Sequence, residues 1–172
     1  VEQHVHNIDV FLWMTGLKVK SATAVGSRQR RITGDQFDNF SVDFECENGV
    51  HFHSMCRQID GCSNGIGEII YGTKGSIVAS GTLAQAEVGT VNILISDDSL
   101  AYDANQERNE IVPLSLEGTP LGNMYTKEVE QFGDAIINDT CVPVCIDSAI
   151  FDQKVVEAAY KSCEEKAFVA IN

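Results

Sequence analysis

An alternating segment followed by a turn dipeptide, between residues 40 and 57, constrains the fold more than any other feature. In residues 40–47 apolar and polar side chains alternate strictly, which is typical of a strand with one buried face and one exposed face. Asn48-Gly49 follows, and this dipeptide is preferred in two-residue hairpin turns because both central positions need a positive φ. Residues 50–57 then predict the returning strand. The exposed face of this hairpin would carry Ser41, Asp43, Glu45, His51 and His53.

Helical patterns precede and follow the predicted strands. Val1, Val5, Ile8 and Leu12 recur at helical spacing, and Gly16 follows them as a helix-ending residue. Besides the hairpin, strands are predicted at the start of 17–31 and at 68–71, 76–79, 90–95, 100–102 and 168–171. The order of elements predicts an α+β fold: an open, mainly antiparallel or mixed β-sheet with helices packed on one face.

Two helices are predicted in the C-terminal third. Thr126 would cap the first, whose apolar stripe contains Tyr125, Val129, Phe132 and Ile136. The second would have Asp147 near its start and a buried stripe with Val155, Ala158 and Ala159. We expect residues 1–172 to form a single domain, because a chain of this length buries a sizeable core without disulfides or metals. The helical pattern already runs at Val1, so we expect a fragment of a longer protein.

Charge and composition exclude several classes of partner. Twelve Lys and Arg residues against 25 Asp and Glu give a net charge of -13. Nucleic acids and anionic membranes both require a cationic surface, so neither is expected as a partner. No apolar run approaches the roughly 20 residues that span a bilayer. The six cysteines contain no C-x-x-C pair, and we expect a cytoplasmic protein, with a periplasmic location left open.

The first predicted helix carries the most suggestive group of polar residues. Glu2 and His6 are four residues apart and Asp9 lies three further on, so all three share one polar face. A carboxylate beside an imidazole stabilises the imidazolium and fixes its tautomer, as a histidine general base requires. The alternative from the pattern alone is an exposed Glu–His pair without a chemical role.

Two other motifs are weaker. His51 and His53 would share one face of a strand and could ligate a metal ion, whereas His4 and His6 would point about 200° apart on a helix. No metal site is predicted, and the H-x-H pairs keep a small metal-dependent enzyme as an open alternative. The glycines of residues 61–67 lead into a predicted strand, so they are not a dinucleotide-binding G-x-G-x-x-G motif before a helix.

Three motifs occur in a recognisable order. The first is an acidic residue, a histidine and an aspartate, Glu2, His6 and Asp9, followed by Trp13 and Gly16. The second is Gly-Thr-Lys-Gly-Ser at residues 72–76, and the third is the pair of helical patterns in residues 132–165. Together they resemble the C-terminal domain of Gfo/Idh/MocA oxidoreductases, a family that includes glucose–fructose oxidoreductase and inositol dehydrogenase. Many members have Asp where this chain has Glu2, which marks a distinct subgroup.

The resemblance implies an oxidoreductase that transfers a hydride between a sugar or polyol hydroxyl carbon and NAD or NADP. It implies that the cofactor and the family's catalytic lysine belong to an N-terminal Rossmann domain absent from this chain. No cofactor-binding residue is therefore expected here, and this chain alone should be inactive. By the same resemblance His6 is the catalytic base, Glu2 orients it, and Asp9 occupies the third polar position, a substrate contact. Arg57 is a further candidate for binding substrate, with a surface salt bridge as its alternative.

The resemblance also implies oligomerisation. In this family exposed sheet faces often pack against a second copy, so we expect a homodimer or homotetramer through the face that carries Asp43 and His53. A stand-alone α+β binding module without catalysis is the main alternative to the oxidoreductase domain.

Overall fold

A computed structural model describes residues 4–59, 61, 65–81, 90–95, 110–113 and 124–172. The helices in these ranges are α1 (Val5–Thr15), α2 (Met124–Asn138) and α3 (Ile146–Glu165). The strands in these ranges are β1 (Val19–Ser27), β2 (Asn39–Cys46), β3 (His51–Arg57), β4 (Ile66–Gly72), β5 (Gly75–Gly81), β6 (Thr90–Ile95), β7 (Glu110–Pro113) and β8 (Val169–Ala170). All the strand pairs in these ranges are antiparallel, which confirms the predicted α+β fold.

The chain divides into two compact units. The first contains Val1–Gly61 and Gln131–Asn172, and its four-stranded sheet has the order β3-β2-β1-β8. The second contains Cys62–Glu130, and its four-stranded sheet has the order β4-β5-β6-β7. The single-domain organisation expected for residues 1–172 stays a prediction.

The predicted hairpin is present, with a loop one residue longer than expected. Asn48 and Gly49 both have positive φ, 67° and 74°, as predicted. However, Glu45 pairs with His51, so Glu47 joins the turn as a third loop residue. The N–H of Glu47 donates to the carbonyl oxygen of Lys18 at 3.0 Å, which draws this residue out of the hairpin ladder. This register sets polar residues opposite polar ones, whereas a two-residue loop would set Glu45 opposite Phe52.

The core of the first unit lies between one face of its sheet and helices α1 and α3. Val42 and Phe44 of β2 are almost completely buried, as are Val155 and Ala159 of α3. This confirms the predicted buried stripe of α3. The buried hydroxyl of Ser162 accepts a hydrogen bond from the N–H of Ala24 at 2.9 Å and donates one to the carbonyl of Ala167 at 2.6 Å. Helix α3 is therefore fixed to β1 by a polar contact as well as by apolar packing.

Several predicted elements differ from the structure in their limits. Helix α2 already includes Met124 and Tyr125, the two residues before Thr126, so the prediction of Thr126 as its cap is wrong. Strand β7 was not predicted from the sequence, and the strand predicted at 100–102 falls outside the described residues. The turn before Ser76 is confirmed by the pairing of Gly72 with Gly75. No helix within the described ranges is both long and apolar enough to cross a membrane.

Candidate active site

Helix α1 is fixed on the first sheet at both of its ends. The ring of Phe11 stacks on Phe52 of β3 at a centroid distance of 4.0 Å, and Phe52 stacks on Phe44 at 4.7 Å. Closer to the start of the helix, Nε2 of His4 contacts the buried hydroxyl of Ser54, and burial lowers the pKa of His4. At the other end Gly16 adopts the predicted left-handed conformation, with φ 65°, and its N–H donates to the carbonyl of Leu12. These contacts fix which residues of α1 face away from the core.

His6 and Asp9 lie on the part of α1 that Ile8 and Leu12 leave outside the core. The imidazole of His6 is exposed, and none of the ion pairs among the described residues involves it. Asp9 is half-buried, and Glu2 lies outside the described residues. An exposed imidazole on a fixed helix is able to accept a proton from a bound hydroxyl group.

Asp9 has a partner that the sequence did not predict. Asp152 of α3 is only 6% exposed, and the carboxyl group of Asp9 lies near enough to act on it electrostatically. Burial, and then the charge of Asp9, raises the pKa of Asp152 to about 6. The sequence did contain one indication of its burial: Asp152 lies three, four and seven residues before Val155, Val156 and Ala159, on the apolar stripe of the helix.

Arg57 lies on the opposite face of the sheet from α1. Along β3, Phe52 and Ser54 face α1, so the alternating residues His51, His53, Met55 and Arg57 face the other way. Arg57 is exposed, it is the last residue of β3, and β3 is an edge strand. Arg57 therefore lies on the other side of the sheet from the helix that carries His6 and Asp9.

The exposed face of the first sheet has the residues predicted for it. Asp43 pairs with His53 across β2 and β3, and their Oδ1 and Nδ1 atoms are 2.9 Å apart. Lys20 and Glu45 form a second ion pair at 2.9 Å. Within the described ranges, no three His, Cys, Asp or Glu side chains come together in a way that could hold a metal ion.

A second buried carboxylate, Asp38, was also missed by the sequence analysis. It accepts hydrogen bonds from the backbone N–H groups of Gln29, Arg30 and Arg31, each at 2.8 Å. These backbone hydrogen bonds, that of Arg31 first, lower the pKa of Asp38 to about 2. Asp38 thus fixes the basic loop between β1 and β2. The sequence offered no periodic signal for it, because the three donors belong to a loop.

The described residues do not suit a dinucleotide. Such a cofactor needs a glycine-rich turn that leads into a helix, so that backbone N–H groups face the pyrophosphate. Here the glycine-rich residues 61–67 lead into strand β4 instead. Within its described part, the chain offers no site of that kind for NAD or NADP.

Comparison with known proteins supplies the family. A family model described as "Oxidoreductase family, C-terminal alpha/beta domain" matches residues 1–171. A search of curated protein sequences finds no match. Among solved structures, the chain is similar to aldose-aldose oxidoreductase from Caulobacter crescentus complexed with glycerol, at 16% identity and a TM-score of 0.75, covering 98% of this chain and 46% of that one.

Two further solved structures have the same fold. Levoglucosan dehydrogenase in complex with NADH is 19% identical, with a TM-score of 0.75 over 99% of this chain and 49% of that one. The WlbA dehydrogenase from Bordetella pertussis, in complex with NADH and UDP-GlcNAcA, is 13% identical, with a TM-score of 0.68 over 99% of this chain and 44% of that one. The chain therefore spans about half the length of these relatives.

Proposed function

Because the chain belongs to the oxidoreductase family of C-terminal alpha/beta domains, we propose that it is the substrate-binding domain of an NAD(P)-dependent oxidoreductase acting on a sugar or polyol hydroxyl. The observation that carries this proposal is the exposed His6 on a helix fixed to the sheet, within a family match over residues 1–171. The cofactor would be bound by a part of the polypeptide outside this chain. The names of the solved relatives, with NADH, glycerol and UDP-GlcNAcA bound, support the proposed substrate class.

The roles of the residues follow from oxidation of a carbinol carbon. When bound, the nicotinamide ring supplies the acceptor for the hydride. His6 accepts the hydroxyl proton as the C–H bond breaks with its electron pair, and the substrate becomes a carbonyl compound. Glu2 orients His6 and stabilises the imidazolium that forms. Asp9 accepts a hydrogen bond from a second hydroxyl group of the sugar or polyol.

The experiment is a comparison of two histidine variants of the full-length protein. Oxidation of a panel of sugars and polyols is followed through the absorbance of the reduced nicotinamide, with NAD and NADP in turn. His6→Asn should lower kcat by about 10²- to 10⁴-fold, the usual contribution of a general base. His51→Asn is the matched control, because His51 is exposed on the opposite face of the sheet. Retention of activity by His6→Asn would refute the assignment.

Arg57 is a proposed substrate contact with a smaller effect. As the last residue of an edge strand, it is placed where a long side chain could extend past the sheet. Arg57→Ala should raise KM by about tenfold with little change in kcat, because a charged hydrogen bond to bound substrate is lost. An unchanged KM would leave Arg57 as a surface residue.

We also propose that the exposed face of the first sheet forms a homodimer or homotetramer interface. Two of its apolar side chains, Val25 at 74% and Met55 at 55% exposure, lie in one cross-strand row with Ser41. The Asp43–His53 pair on the same face makes association depend on pH. Light scattering at two pH values should give an oligomer at one of them at least. A monomer at both values, or an oligomer unaffected by Met55→Glu, would contradict this interface.

A further inference from the structure

Three of the five arginines of the chain lie within four residues, at the start of the loop between β1 and β2 (residues 28–38, here called the arginine loop). Arg28, Arg30 and Arg31 are all exposed. The chain as a whole has a net charge of -13, so this concentration of cations stands against its general composition. None of the ion pairs among the described residues involves an arginine. Within the described part of the chain, these positive charges are therefore not paired with a carboxylate.

A buried carboxylate fixes the backbone that carries these arginines. Asp38 is 3% exposed and accepts hydrogen bonds from the backbone N–H groups of residues 29–31, each at 2.8 Å. The N–H of Asp38 donates to the carbonyl oxygen of Ser27 at 3.1 Å, which joins the two ends of the arginine loop. A loop that is already fixed loses little conformational entropy when its side chains bind a ligand.

Two guanidinium groups of the arginine loop are held by neutral acceptors. Nη1 of Arg28 donates to the carbonyl oxygen of Gly34, and Nη1 of Arg31 donates to Oε1 of Gln36 at 2.6 Å. Each bond uses one of the five N–H donors of a guanidinium group and leaves its charge in place. Such a group can still bind a phosphate or a carboxylate through two parallel N–H donors.

A fourth arginine lies at the same end of the first sheet. The register pairs Ser27 with Asn39 and Asn39 with Arg57, and these residues end β1, begin β2 and end β3. The N–H of Gln58 donates to the carbonyl oxygen of Asp38 at 2.9 Å, so the backbone that follows Arg57 is bonded to the arginine loop. With the two aspartates of the loop counted, this end of the sheet has a net charge of +2 from the loop and Arg57.

The candidate catalytic histidine lies toward this end of the sheet. His4, at the start of α1, contacts Ser54 of β3, whereas the ring of Phe11 stacks on β3 nearer the hairpin turn. Arg57 lies three residues beyond Ser54, about 10 Å along the strand and away from the hairpin turn. The part of α1 that carries His6 is therefore nearer to the arginine end of the sheet than the rest of the helix is. A substrate with a hydroxyl group at His6 can extend a charged substituent toward the arginines.

We propose that the arginines of the arginine loop, together with Arg57, form a site for an anionic group of the substrate, a phosphate or a carboxylate carried by the sugar or polyol. Guanidinium groups suit these ligands because their parallel N–H donors match two oxygen atoms of a phosphate or a carboxylate. This inference rests on the proposed function for the identity of the substrate. The binding of an anion rests on the arginine loop alone.

The kinetic test compares Arg30→Gln with Lys18→Gln in the full-length enzyme. Within the described residues the Arg30 guanidinium makes no bond inside the loop, so its loss should leave the loop intact. Lys18 is exposed and lies just before β1, at the opposite end of that strand, so Lys18→Gln removes the same charge elsewhere. The substrates are a neutral sugar of the panel, its phosphate ester and its uronic acid.

Arg30→Gln should raise KM for the phosphate ester and the uronic acid by about 5- to 10-fold, because a charged hydrogen bond to bound substrate is lost. KM for the neutral sugar should change by less than about twofold, and Lys18→Gln should change none of the three by more. An equal rise for all three substrates, no rise for any, or oxidation of neutral sugars only would overturn the proposal.

Two other anions could bind the same arginines, and the same variants identify them. A rise in KM for NADP but not for NAD in Arg30→Gln would assign the arginines to the cofactor phosphate. Loss of an oligomer in light scattering, with unchanged KM values, would assign them to an acidic surface of a second copy. Either result would overturn the assignment to substrate.

A binding measurement separates failure of this inference from failure of the proposed function. If wild type oxidises no sugar or polyol with either cofactor, the proposed function fails, and calorimetric titration with a glucose phosphate still tests the site. Wild type and Lys18→Gln should bind it about 5- to 10-fold more tightly than Arg30→Gln does, and added salt should weaken binding. Equal affinity of wild type and Arg30→Gln, or binding by neither, would overturn the anion site even in an active enzyme.

Discussion

Asp38 and Asp152 are the same residue type and are almost equally buried, at 3% and 6% exposure. At mildly acidic pH, however, Asp38 is ionised and Asp152 is mostly protonated. Asp38 lies in the loop before β2 and accepts three backbone N–H groups, which lower its pKa to about 2. Asp152 lies between two helices, where burial and the charge of Asp9 raise its pKa to about 6. At pH 5, therefore, the carboxyl group in the loop is ionised, while the one on α3 mostly holds its proton.

The difference shows that burial alone does not determine the charge of a carboxyl group. Preorganised donors replace the lost hydration of Asp38, so the ionised form is favoured there. No such donor acts on Asp152 among the described residues, and its neighbour is an acid. The loop carboxylate thus serves the fold, while the neutral acid is placed one helix away from the candidate catalytic histidine.

The largest expected difference in stability is between Asp38→Asn and Asp152→Asn, which make the same isosteric change at the two buried aspartates. Asp38→Asn replaces one acceptor oxygen by an NH₂ group that faces backbone N–H donors, so the urea midpoint should fall by on the order of 1 M at pH 7. Asp152→Asn replaces a buried carboxyl group that resists ionisation with a neutral side chain of the same size. Its midpoint at pH 7 should equal or exceed that of wild type. Circular dichroism during urea titration measures both.

Asp43→Asn provides a control, because Asp43 is exposed on the sheet and should change the midpoint little. A fall of similar size in Asp38→Asn and Asp152→Asn would break the contrast. It would mean that Asp152 is needed as a carboxylate.

The second prediction concerns the pH dependence of stability. The folded pKa of Asp38, about 2, lies below its ordinary value of 3.8, so its contribution is present above pH 4 and is lost as the pH falls toward 2. The folded pKa of Asp152, about 6, lies above 3.8, so its contribution is present below pH 4 and is lost as the pH rises toward 6. Urea midpoints of wild type and of each Asn variant are measured from pH 2 to 8. The difference between wild type and variant should grow with rising pH for Asp38→Asn and shrink with rising pH for Asp152→Asn. Identical pH profiles for wild type and Asp152→Asn would contradict the assignment.

A smaller effect is expected from Asp9→Asn. This change removes the charge of Asp9 but leaves Asp152 buried, and burial is the larger cause of its raised pKa. The pKa of Asp152 should therefore decrease only partly and stay above 3.8. A return to the ordinary value, observed by NMR titration, would show that Asp9 rather than burial controls the site.

Local signals in the sequence were sufficient for much of the fold. Gly16 ends α1, positive φ at Asn48 and Gly49 turns the hairpin, and the alternation of β2 and β3 places His51 and His53 on one face, all as predicted. These features depend on backbone preferences and on the two-residue period of a strand, which neighbouring residues determine.

The remaining features depend on contacts between distant residues. Glu47 joins the loop because its N–H binds Lys18, and Asp152 meets Asp9 from a helix 143 positions later in the chain. The stripe of α2 was predicted from its period, yet Tyr125, Val129, Phe132 and Ile136 are 58–71% exposed. Periodicity predicts an amphipathic helix and does not specify what covers its apolar face. The roles of Glu2, His6, Asp9 and Arg57 stay predictions for the experiments above.

An NMR titration of aspartate side-chain carboxyl carbons, with Asp38, Asp152 and Asp9 assigned through their Asn variants, tests the contrast between the two buried aspartates most directly. We expect that Asp152 still holds its proton at pH 5 and titrates near 6, while Asp38 is ionised down to about pH 2. Titration of Asp152 at or below the ordinary value of 3.8 would contradict this expectation, because burial and the charge of Asp9 would then not favour the protonated form.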